Sequence, residues 1–289
     1  MHYDVIIPVS YQDVSFIPKV VAFIRKNLIG VSEIFVITSK QHFKYLKKLH
    51  DYITLVDEDS LISGLSYSSI NEILKSKSIH NRTGWYFQQL LKFAFAQSRY
   101  AHDYYLSWDA DTLPLSKISF FEGEHPLFTP KKEFHQPYFI TLNKLLNLKK
   151  IVDFSFIAEH MLFKKEYVTE LIDSITHSNV EGGTWYEKIL NACDFSCGSS
   201  FSEFETYGTY VWHTHPNVYK TRFLNTFRGA GFIKGRLIDD KTLESISIDL
   251  DIASFELRDE PVFPYNIPNI KYKWIRRLKK ILSKFNNRI

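Results

Sequence analysis

Apolar runs of strand length alternate with segments of helical periodicity over the first 110 residues of the chain. Because these runs are continuously apolar, they are typical of strands that are buried on both faces of a sheet. Between the first two runs, Ile17, Val20, Val21 and Ile24 recur at helical spacing. The alternation predicts an α/β fold with a mixed, mainly parallel sheet flanked by helices, and ligands beyond the carboxyl ends of the strands. The predicted strands occupy residues 3–9, 33–38, 52–56 and 103–108.

The second half of the chain is less regular, but it continues the mixture of helices and strands. The pattern predicts a helix from about Ser200 and a loose edge hairpin over residues 246–257. No repeat, low-complexity linker or Pro/Gly-rich hinge interrupts residues 1–270, which we interpret as one domain followed by a tail over residues 271–289. Further helices are predicted near residues 136–148, 166–177 and 184–193, and a further strand near residues 154–163.

Composition excludes several classes of protein. The hydrophobic fraction of 45% and the charged fraction of 24% are those of a globular domain rather than a disordered chain. No apolar run reaches the length of about 18 residues that a membrane-spanning helix needs. Cys193 and Cys197 are the only cysteines, too few for a disulfide framework or a zinc site. They fit a reducing compartment, and the N-terminus without a signal-type leader supports the same expectation of a cytoplasmic protein.

Positive charge is concentrated at the C-terminal end of the chain. Residues 271–289 have eight basic residues and no acidic one, whereas residues 1–270 have 28 basic and 32 acidic residues, which argues against general binding to nucleic acid. The tail also carries an apolar stripe at helical spacing. A basic amphipathic helix of this kind is typical of a membrane surface, although the stripe can instead pack on the protein's own body. The stripe comprises Trp274, Leu278, Ile281, Leu282 and Phe285.

Two aspartates, Asp109 and Asp111, follow the strand predicted over residues 103–108 and are separated by one alanine. Because both carboxylates can turn toward one point at the strand end, they suit Mg²⁺ or Mn²⁺, which keep positions open for phosphate oxygens. A metal held there would stabilise the charge that develops on a departing diphosphate. The alternative is a pair of loop aspartates in the turn before Pro114.

A polar stripe runs along the predicted helix that precedes this strand. Over residues 84–94 the apolar residues occupy one face, while Trp85, Gln88, Gln89 and Lys92 occupy the opposite one. The stripe can face solvent, but a Trp at its centre favours a binding surface, since a large ring gains nothing from open water. A ring, two amides and a cation suit a sugar nucleotide.

These segments together resemble the GT-A fold of glycosyltransferases, which has a Rossmann-type sheet flanked by helices. The resemblance extends to a poorly characterised bacterial family linked to capsule and lipopolysaccharide synthesis, and it spans residues 3 to about 215. It implies a nucleotide-binding half over about residues 1–115 and an acceptor-binding half over about residues 116–270. The segments that carry it are G-W-x-x-Q-Q-x-x-K from Gly84, S-W-D-A-D-T from Ser107, E-H-M from Glu159 and S-E-F-E-T-Y-G from Ser202.

The resemblance also implies which residues bind the donor and the metal. Asp109 would face the ribose or reach the metal through water, and Asp111 would bind the metal directly. A late histidine often completes the metal site in this fold. The segment W-H-T-H-P offers His213 and His215, with His213 favoured, and a hydrogen-bonded pair in a loop is the alternative. The implied donor-binding residues are Pro8, Val9, Tyr11, Asp13, Trp85, Gln88, Gln89, Lys92 and Asp109.

The general base is the least determined part of the predicted site. An inverting transferase needs a carboxylate within reach of the acceptor hydroxyl, and Glu203 and Glu205 stand about where inverting GT-A enzymes place it. Two residues apart on a helix, they point to different sides, and each also fits a capping box with a serine three residues earlier. Glu203 is favoured over Glu205. Glu159 and His160 are expected to line the acceptor pocket, or else to face solvent at a strand end.

The sequence therefore predicts a metal-dependent, hexosyltransferase-type glycosyltransferase that uses Mn²⁺ or Mg²⁺ and a UDP-sugar. Its acceptor would be a glycan or lipid-linked intermediate of a bacterial capsule or lipopolysaccharide, with inversion favoured over retention. The enzyme would lie in the cytoplasm against the inner face of the membrane. A sugar-phosphate nucleotidyltransferase would carry a Gly-rich loop with a basic residue after the first strand, and residues 9–13 have neither. An inactive carbohydrate- or membrane-binding scaffold is disfavoured by the retained aspartates.

Overall fold

The strands and helices follow the predicted alternation over most of the chain. The computed structural model describes residues 1–267, 270, 271, 274, 275, 277 and 278. The strands are β1 (Tyr3–Pro8), β2 (Leu28–Ile29), β3 (Val31–Thr38), β4 (Thr54–Asp57), β5 (Tyr104–Trp108), β6 (Thr112–Pro114), β7 (Ile118–Ser119), β8 (Phe121–Glu122), β9 (His125–Phe128), β10 (His160–Lys164), β11 (Lys220–Thr221), β12 (Thr226–Phe227) and β13 (Ile252–Ser254). The helices are α1 (Ile17–Asn27), α2 (Phe43–Leu46), α3 (Tyr67–Ser76), α4 (Thr83–Gln97), α5 (Gln136–Leu146), α6 (Lys165–Thr176), α7 (Trp185–Ala192), α8 (Glu203–Thr214), α9 (Gly231–Lys234) and α10 (Asp240–Ile246).

A five-stranded sheet with the strand order β10-β5-β1-β3-β4 forms the centre of the fold. β1 pairs in parallel with β3 and β5, β3 pairs in parallel with β4, and β10 runs antiparallel to β5 at one edge. The chain first builds outward from β1 to β4 and then returns to add β5 on the other side. Ligands of α/β proteins bind at such reversals. The predicted α/β class with a mainly parallel sheet is confirmed.

The apolar strand runs pack against helices on both faces of this sheet. Ile6 and Phe35 contribute to one core cluster, with apolar residues of α3, α4 and α6–α8. Ile7 and Val36, their neighbours along the strands, contribute to the opposite cluster with α1. Successive side chains of a strand point to opposite faces, so a strand covered on both faces must be apolar throughout. This burial explains the continuous apolar runs in the sequence.

Two predictions for the second half of the chain are wrong. The strand predicted near residues 154–163 is limited to β10, and the residues before it form an irregular segment in which Ser155 bridges Lys131. The edge hairpin predicted over residues 246–257 is the single strand β13, which pairs with β6 and β12. Periodicity along the chain does not reveal these partners, because they come from residues remote in sequence.

The predicted amphipathic tail falls mostly outside the described residues. Trp274 and Leu278 have helical backbone and exposed side chains. The other residues of the apolar stripe, Ile281, Leu282 and Phe285, lie outside the described part, so the amphipathic helix stays a prediction. Within the described ranges, none of the helices has the length and apolar character that crossing a bilayer requires.

Candidate active site

A cleft opens at the carboxyl ends of β1 and β5, where the strand order reverses. Its inner part, with a volume of about 230 Å³, is lined by Pro8, Asp13, Gln88, Lys92 and the segment 109–111. Its outer part, with a volume of about 390 Å³, extends past the ends of β3 and β4. Both parts share Pro8 and Gln88, so they form one continuous groove.

The outer part of the cleft combines aromatic walls with a few polar groups. The rings of Tyr11 and His42 lie 5.3 Å apart at an angle of 37°. Tyr67 and Phe87 also line the groove, and the carboxyl group of Glu58 stands at its edge after β4. Cavities of a few hundred Å³ with apolar walls and few polar groups are typical of small-molecule sites. The outer part can hold a flat heterocycle with an attached sugar.

The two predicted aspartates stand together at the end of β5. The N–H of Asp109 donates to the carbonyl of Glu159 (3.1 Å), which anchors the turn, and Thr112 N–H donates back to the Asp109 carbonyl (3.2 Å). Burial, together with the nearby carboxylates of Asp109 and Asp13, raises the pKa of Asp111 to about 7. Three carboxylates therefore crowd the inner part of the cleft, and a divalent cation would relieve their repulsion.

Arg236 balances part of this negative charge, and sequence reasoning missed it. Its guanidinium donates to Asp13 Oδ1 (2.6 Å) and lies 4.0 Å from Asp111 Oδ2. Two further hydrogen bonds, to the carbonyls of Gln12 and Phe255, fix its position. The only signal in the sequence is that residues 217–238 contain five basic residues and no acidic one.

Lys92 joins the cleft to the helix that carries the predicted base. Its ammonium lies 2.7 Å from Glu203 Oε1 and 3.4 Å from Asp109 Oδ1, above the ring of Phe204. The side chains of Lys92 and Glu203 are only 5% and 6% exposed. Burial alone would lower the pKa of Lys92, but the two carboxylates outweigh it and raise that pKa. Lys92 is therefore a buried cation that holds Glu203 beside Asp109.

Glu205 faces away from this network. Its carboxylate accepts hydrogen bonds from Ser155 Oγ and from the N–H of Phe156 (3.1 Å), and it lies 3.8 Å from the ammonium of Lys150. Burial raises the pKa of Glu205 despite these partners. Glu205 thus fixes the irregular segment before β10, whereas Glu203 is paired with Lys92, a residue that lines the inner part of the cleft. The serine at 202 caps α8 by accepting from the N–H of Glu205.

Gly208 lets the same segment pack directly against α8. A Cβ at this position would lie 2.2 Å from Cγ of Phe156, a fully buried ring. We expect Gly208→Ala to lower the free energy of unfolding by about 2 kcal/mol or more, because overpacking outweighs the better helix propensity of alanine. Gly84→Ala is the matched control, since nothing lies within 4 Å of its Cβ. Chemical denaturation measures both, and equal stability of the two variants would contradict the packing argument.

Glu159 and His160 take different positions although they are adjacent. The carboxylate of Glu159 is buried, accepts from Arg228 Nε (2.8 Å) and lies 3.7 Å from the ammonium of Lys131. Burial would raise its pKa, but the cationic neighbours lower it. His160 stacks on Trp108 with ring centres 5.3 Å apart, and burial lowers its pKa to about 3. His160 is therefore a neutral core residue, a correction to its predicted place in an acceptor pocket.

The structure does not bring either late histidine to the aspartates. His213 lies ten residues along α8 from the helix start beside Lys92, which is roughly 15 Å on a helix. Its Nε2 contacts the carbonyl of Lys149. His215 pairs with Glu170 (2.6 Å) at the C-terminal end of the same helix. Both histidines contact residues outside the cleft, and this corrects the expectation that His213 completes a metal site.

The polar stripe of α4 divides between the cleft and the protein interior. Gln88 and Lys92 line the cleft, as the pattern indicates. Gln89 is buried, and its side-chain oxygen accepts from the N–H of Glu203 at the start of α8 (3.3 Å). Trp85 packs against Arg82 and lines neither part of the cleft. The polar stripe of α4 therefore has two roles: Gln89 and Lys92 contact the start of α8, while Gln88 and Lys92 line the cleft.

The carboxylates of Asp109 and Asp111 fit a divalent cation. Within the described part of the chain, no group of three or more His, Cys, Asp or Glu side chains could hold a metal. Mg²⁺ and similar hard cations, however, are commonly held by one or two carboxylates together with substrate phosphates and water. Burial, together with the carboxylates of Asp109 and Asp13, raises the pKa of Asp111, so a bound cation would stabilise its ionised form. Two carboxylates with an open side toward the groove would suit a divalent cation that is bound together with phosphate oxygens.

A sequence profile of a family of unknown function (DUF6492) matches residues 20–231 of the chain. No curated protein sequence matches the chain. Among solved structures, the apo form of mouse xyloside xylosyltransferase 1 is similar with a TM-score of 0.43 and 9% identity, covering 90% of this chain and 99% of that chain. The apo-form glycosyltransferase GlyE of Streptococcus pneumoniae TIGR4 is similar with a TM-score of 0.41 and 11% identity, covering 98% and 64%.

Proposed function

The chain belongs to this family of unknown function (DUF6492), and from the geometry of its cleft we propose that it is a metal-dependent glycosyltransferase. The observation that carries the proposal is the continuity of the groove. An outer part of nucleoside size leads into an inner part where Asp109 and Asp111 meet at the end of β5. A nucleotide diphosphate along this groove would have its base and ribose in the outer part and its phosphates beside the two carboxylates.

In the proposed reaction, the acceptor oxygen attacks the anomeric carbon while the bond to the diphosphate breaks and its electrons leave with the phosphate oxygen. Asp109 and Asp111 would hold Mn²⁺ or Mg²⁺, which when bound would neutralise charge on the diphosphate. Glu203 would accept the proton of the acceptor hydroxyl, and transfer would invert the configuration. Lys92 orients Glu203, and Arg236 adds positive charge on the donor side.

The donor is proposed to be a UDP-sugar and the acceptor a hydroxyl of a bacterial surface glycan or of its lipid-linked intermediate. The acceptor would enter beside Glu159 and Arg228, whose ion pair lies next to the turn of Asp109. A carboxylate and a guanidinium offer hydrogen-bond acceptors and donors to sugar hydroxyls.

The proposal is tested by incubating the purified protein with Mn²⁺ and a panel of sugar nucleotides, and by measuring the release of nucleoside diphosphate. We expect slow hydrolysis of one sugar nucleotide above all others, and loss of that activity with a chelator. Calorimetry on the same panel provides an independent reading of binding. If no sugar nucleotide is bound or hydrolysed in the presence of metal, the proposed activity fails.

Glu203→Gln is expected to lower turnover by roughly 10²-fold or more, because glutamine keeps the size of the side chain but cannot take up a proton. Its oxygen can still accept from Lys92, so the affinity for the donor should change little, while the loss of one carboxylate beside the buried ammonium should lower the free energy of unfolding. Glu205→Gln is the matched control: it should weaken the fold through Ser155 and Phe156 but leave chemistry intact. An active Glu203→Gln enzyme with an inactive Glu205→Gln enzyme would reverse the assignment.

The C-terminal tail is proposed to hold the enzyme at the inner face of the cytoplasmic membrane. Eight basic residues over residues 271–289 would be attracted to anionic lipid, each by about 1 kcal/mol near the surface. Deleting these residues should abolish salt-sensitive binding to anionic liposomes while activity on a soluble acceptor survives. A truncated protein that melts at a much lower temperature would show instead that the tail packs on the body of the protein.

A further inference from the structure

A segment over residues 226–238, which we name the strap, is anchored beside the cleft by two arginines. Near its start, Arg228 donates to the buried carboxylate of Glu159 on the acceptor side (2.8 Å). Near its end, Arg236 donates to Asp13 on the donor side (2.6 Å). The strap is therefore held next to the cleft near both of its ends, with its two arginines on carboxylates of the protein body.

Because the arginines face inward, the strap presents apolar side chains to solvent. Phe232 is 59% exposed, and Phe227, Ile233 and Leu237 are exposed as well. A Cβ at Gly229 would lie 3.1 Å from the ring of Phe227 and 3.4 Å from that of Phe232, so both rings lie beside this glycine. Contiguous exposed apolar surface of this kind marks a site of contact with a protein or a membrane.

The apolar surface continues into the chain that leads to the tail. A Cβ at Gly235 would lie 3.2 Å from the side chain of Pro261, and the ammonium of Lys234 lies 5.5 Å from the centre of the Tyr265 ring. Between these two contacts, Phe263 is 76% exposed. The segment over residues 261–265, which precedes the tail, therefore lies against the strap, and both present apolar side chains to solvent.

We propose that the strap and Phe263 insert into the surface of an anionic bilayer and hold the cleft next to it. The charge of the tail identifies the occupant: residues 271–289 have eight basic residues and no acidic one. The basic side chains of the tail would supply attraction to anionic headgroups, and the strap would supply apolar contact. The inference deepens, and rests on, the proposed membrane role of the tail.

Vesicle binding of the full-length protein tests this inference. Cosedimentation with phosphatidylcholine vesicles, with and without phosphatidylglycerol, compares the wild type with Phe232→Ser and Phe263→Ser. Each substitution is expected to lower the partition coefficient roughly fivefold, because even half of the transfer free energy of a phenylalanine side chain is worth that factor. Ile248→Ser is the matched control, since this side chain is 82% exposed but lies outside the strap, and it should bind like the wild type.

Two further measurements distinguish a failure of the strap inference from a failure of the tail proposal. Thermal melting of each variant confirms that the fold is intact, and Trp274→Ser reports on the tail alone. If Trp274→Ser loses binding while Phe232→Ser and Phe263→Ser bind like the wild type, the tail proposal stands and the strap inference is overturned. If the wild type binds no anionic vesicle, both fail. Hydrolysis of a sugar nucleotide in solution is measured separately, so neither result depends on the proposed activity.

Discussion

Asp111→Ala is expected to reduce sugar transfer to the background rate while leaving the fold intact. Asp111 is one of two carboxylates at the end of β5 that can hold a divalent cation, and the described residues include no group of three or more His, Cys, Asp or Glu side chains that could hold one. Burial, and then the nearby carboxylates of Asp109 and Asp13, raise the pKa of Asp111 to about 7, so above that pH the ionised side chain disfavours the folded state. Its removal should therefore not lower the free energy of unfolding.

Sugar transfer at saturating Mn²⁺ and chemical denaturation measure the two effects separately. Asp103→Ala is the matched control, because Asp103 is an exposed aspartate at the opposite end of the same strand. Protons compete with metal for Asp111, so stimulation by Mn²⁺ should weaken as the pH falls below about 7. Near wild-type turnover of Asp111→Ala, or full activity in a chelator, would remove the metal from the mechanism.

Lys92→Met is expected to lower the free energy of unfolding by about 3–5 kcal/mol, the usual cost of leaving one member of a buried ion pair without its partner. Methionine has a similar length, so little packing is lost. Glu203 would keep its charge in a site that is almost closed to solvent, 2.7 Å from the position that the ammonium had occupied. Asp109 would lose the same cation at 3.4 Å.

The double variant Lys92→Met with Glu203→Gln provides the control for charge. If the loss arises from an unpaired carboxylate, neutralising Glu203 should recover a large part of the stability, and the double-mutant cycle should show strong coupling. Denaturant unfolding of the wild type, the two single variants and the double variant measures this coupling. A Lys92→Met protein as stable as the wild type would mean that Glu203 is protonated or solvated without its partner, contrary to the geometry of the pair.

Much of the cleft could be predicted from positions along the chain. Asp109 and Asp111 follow a buried apolar strand, so they were expected to stand together at its end, and the family resemblance implied that Asp13 lies with them in the donor site. The structure places all three in the inner part of the cleft. Gln88 and Lys92 lie there as helical spacing indicates. These predictions depend only on the period of a strand or a helix.

Predictions of which residues a polar side chain would contact were less successful. His160 follows a strand and was expected to face a pocket, but Trp108 and Thr129 enclose it. His213 belongs to a helix that starts at the cleft and carries the histidine away from it. In each case histidine is a residue type that is common in binding sites. Whether its side chain reaches the cleft depends on the direction of the strand or helix that carries it.

By itself, the sequence determined the α/β class, the mainly parallel sheet and the strand-end position of the two aspartates, because apolar periodicity and strand order act over short stretches of chain. The tertiary structure alone decided that Lys92 pairs with Glu203, that Glu205 fixes the segment before β10, and that Arg236 lies beside Asp13. These partners are separated by about 50 to more than 200 positions. Their contact depends on how complete helices and loops pack on the sheet, which no local pattern encodes.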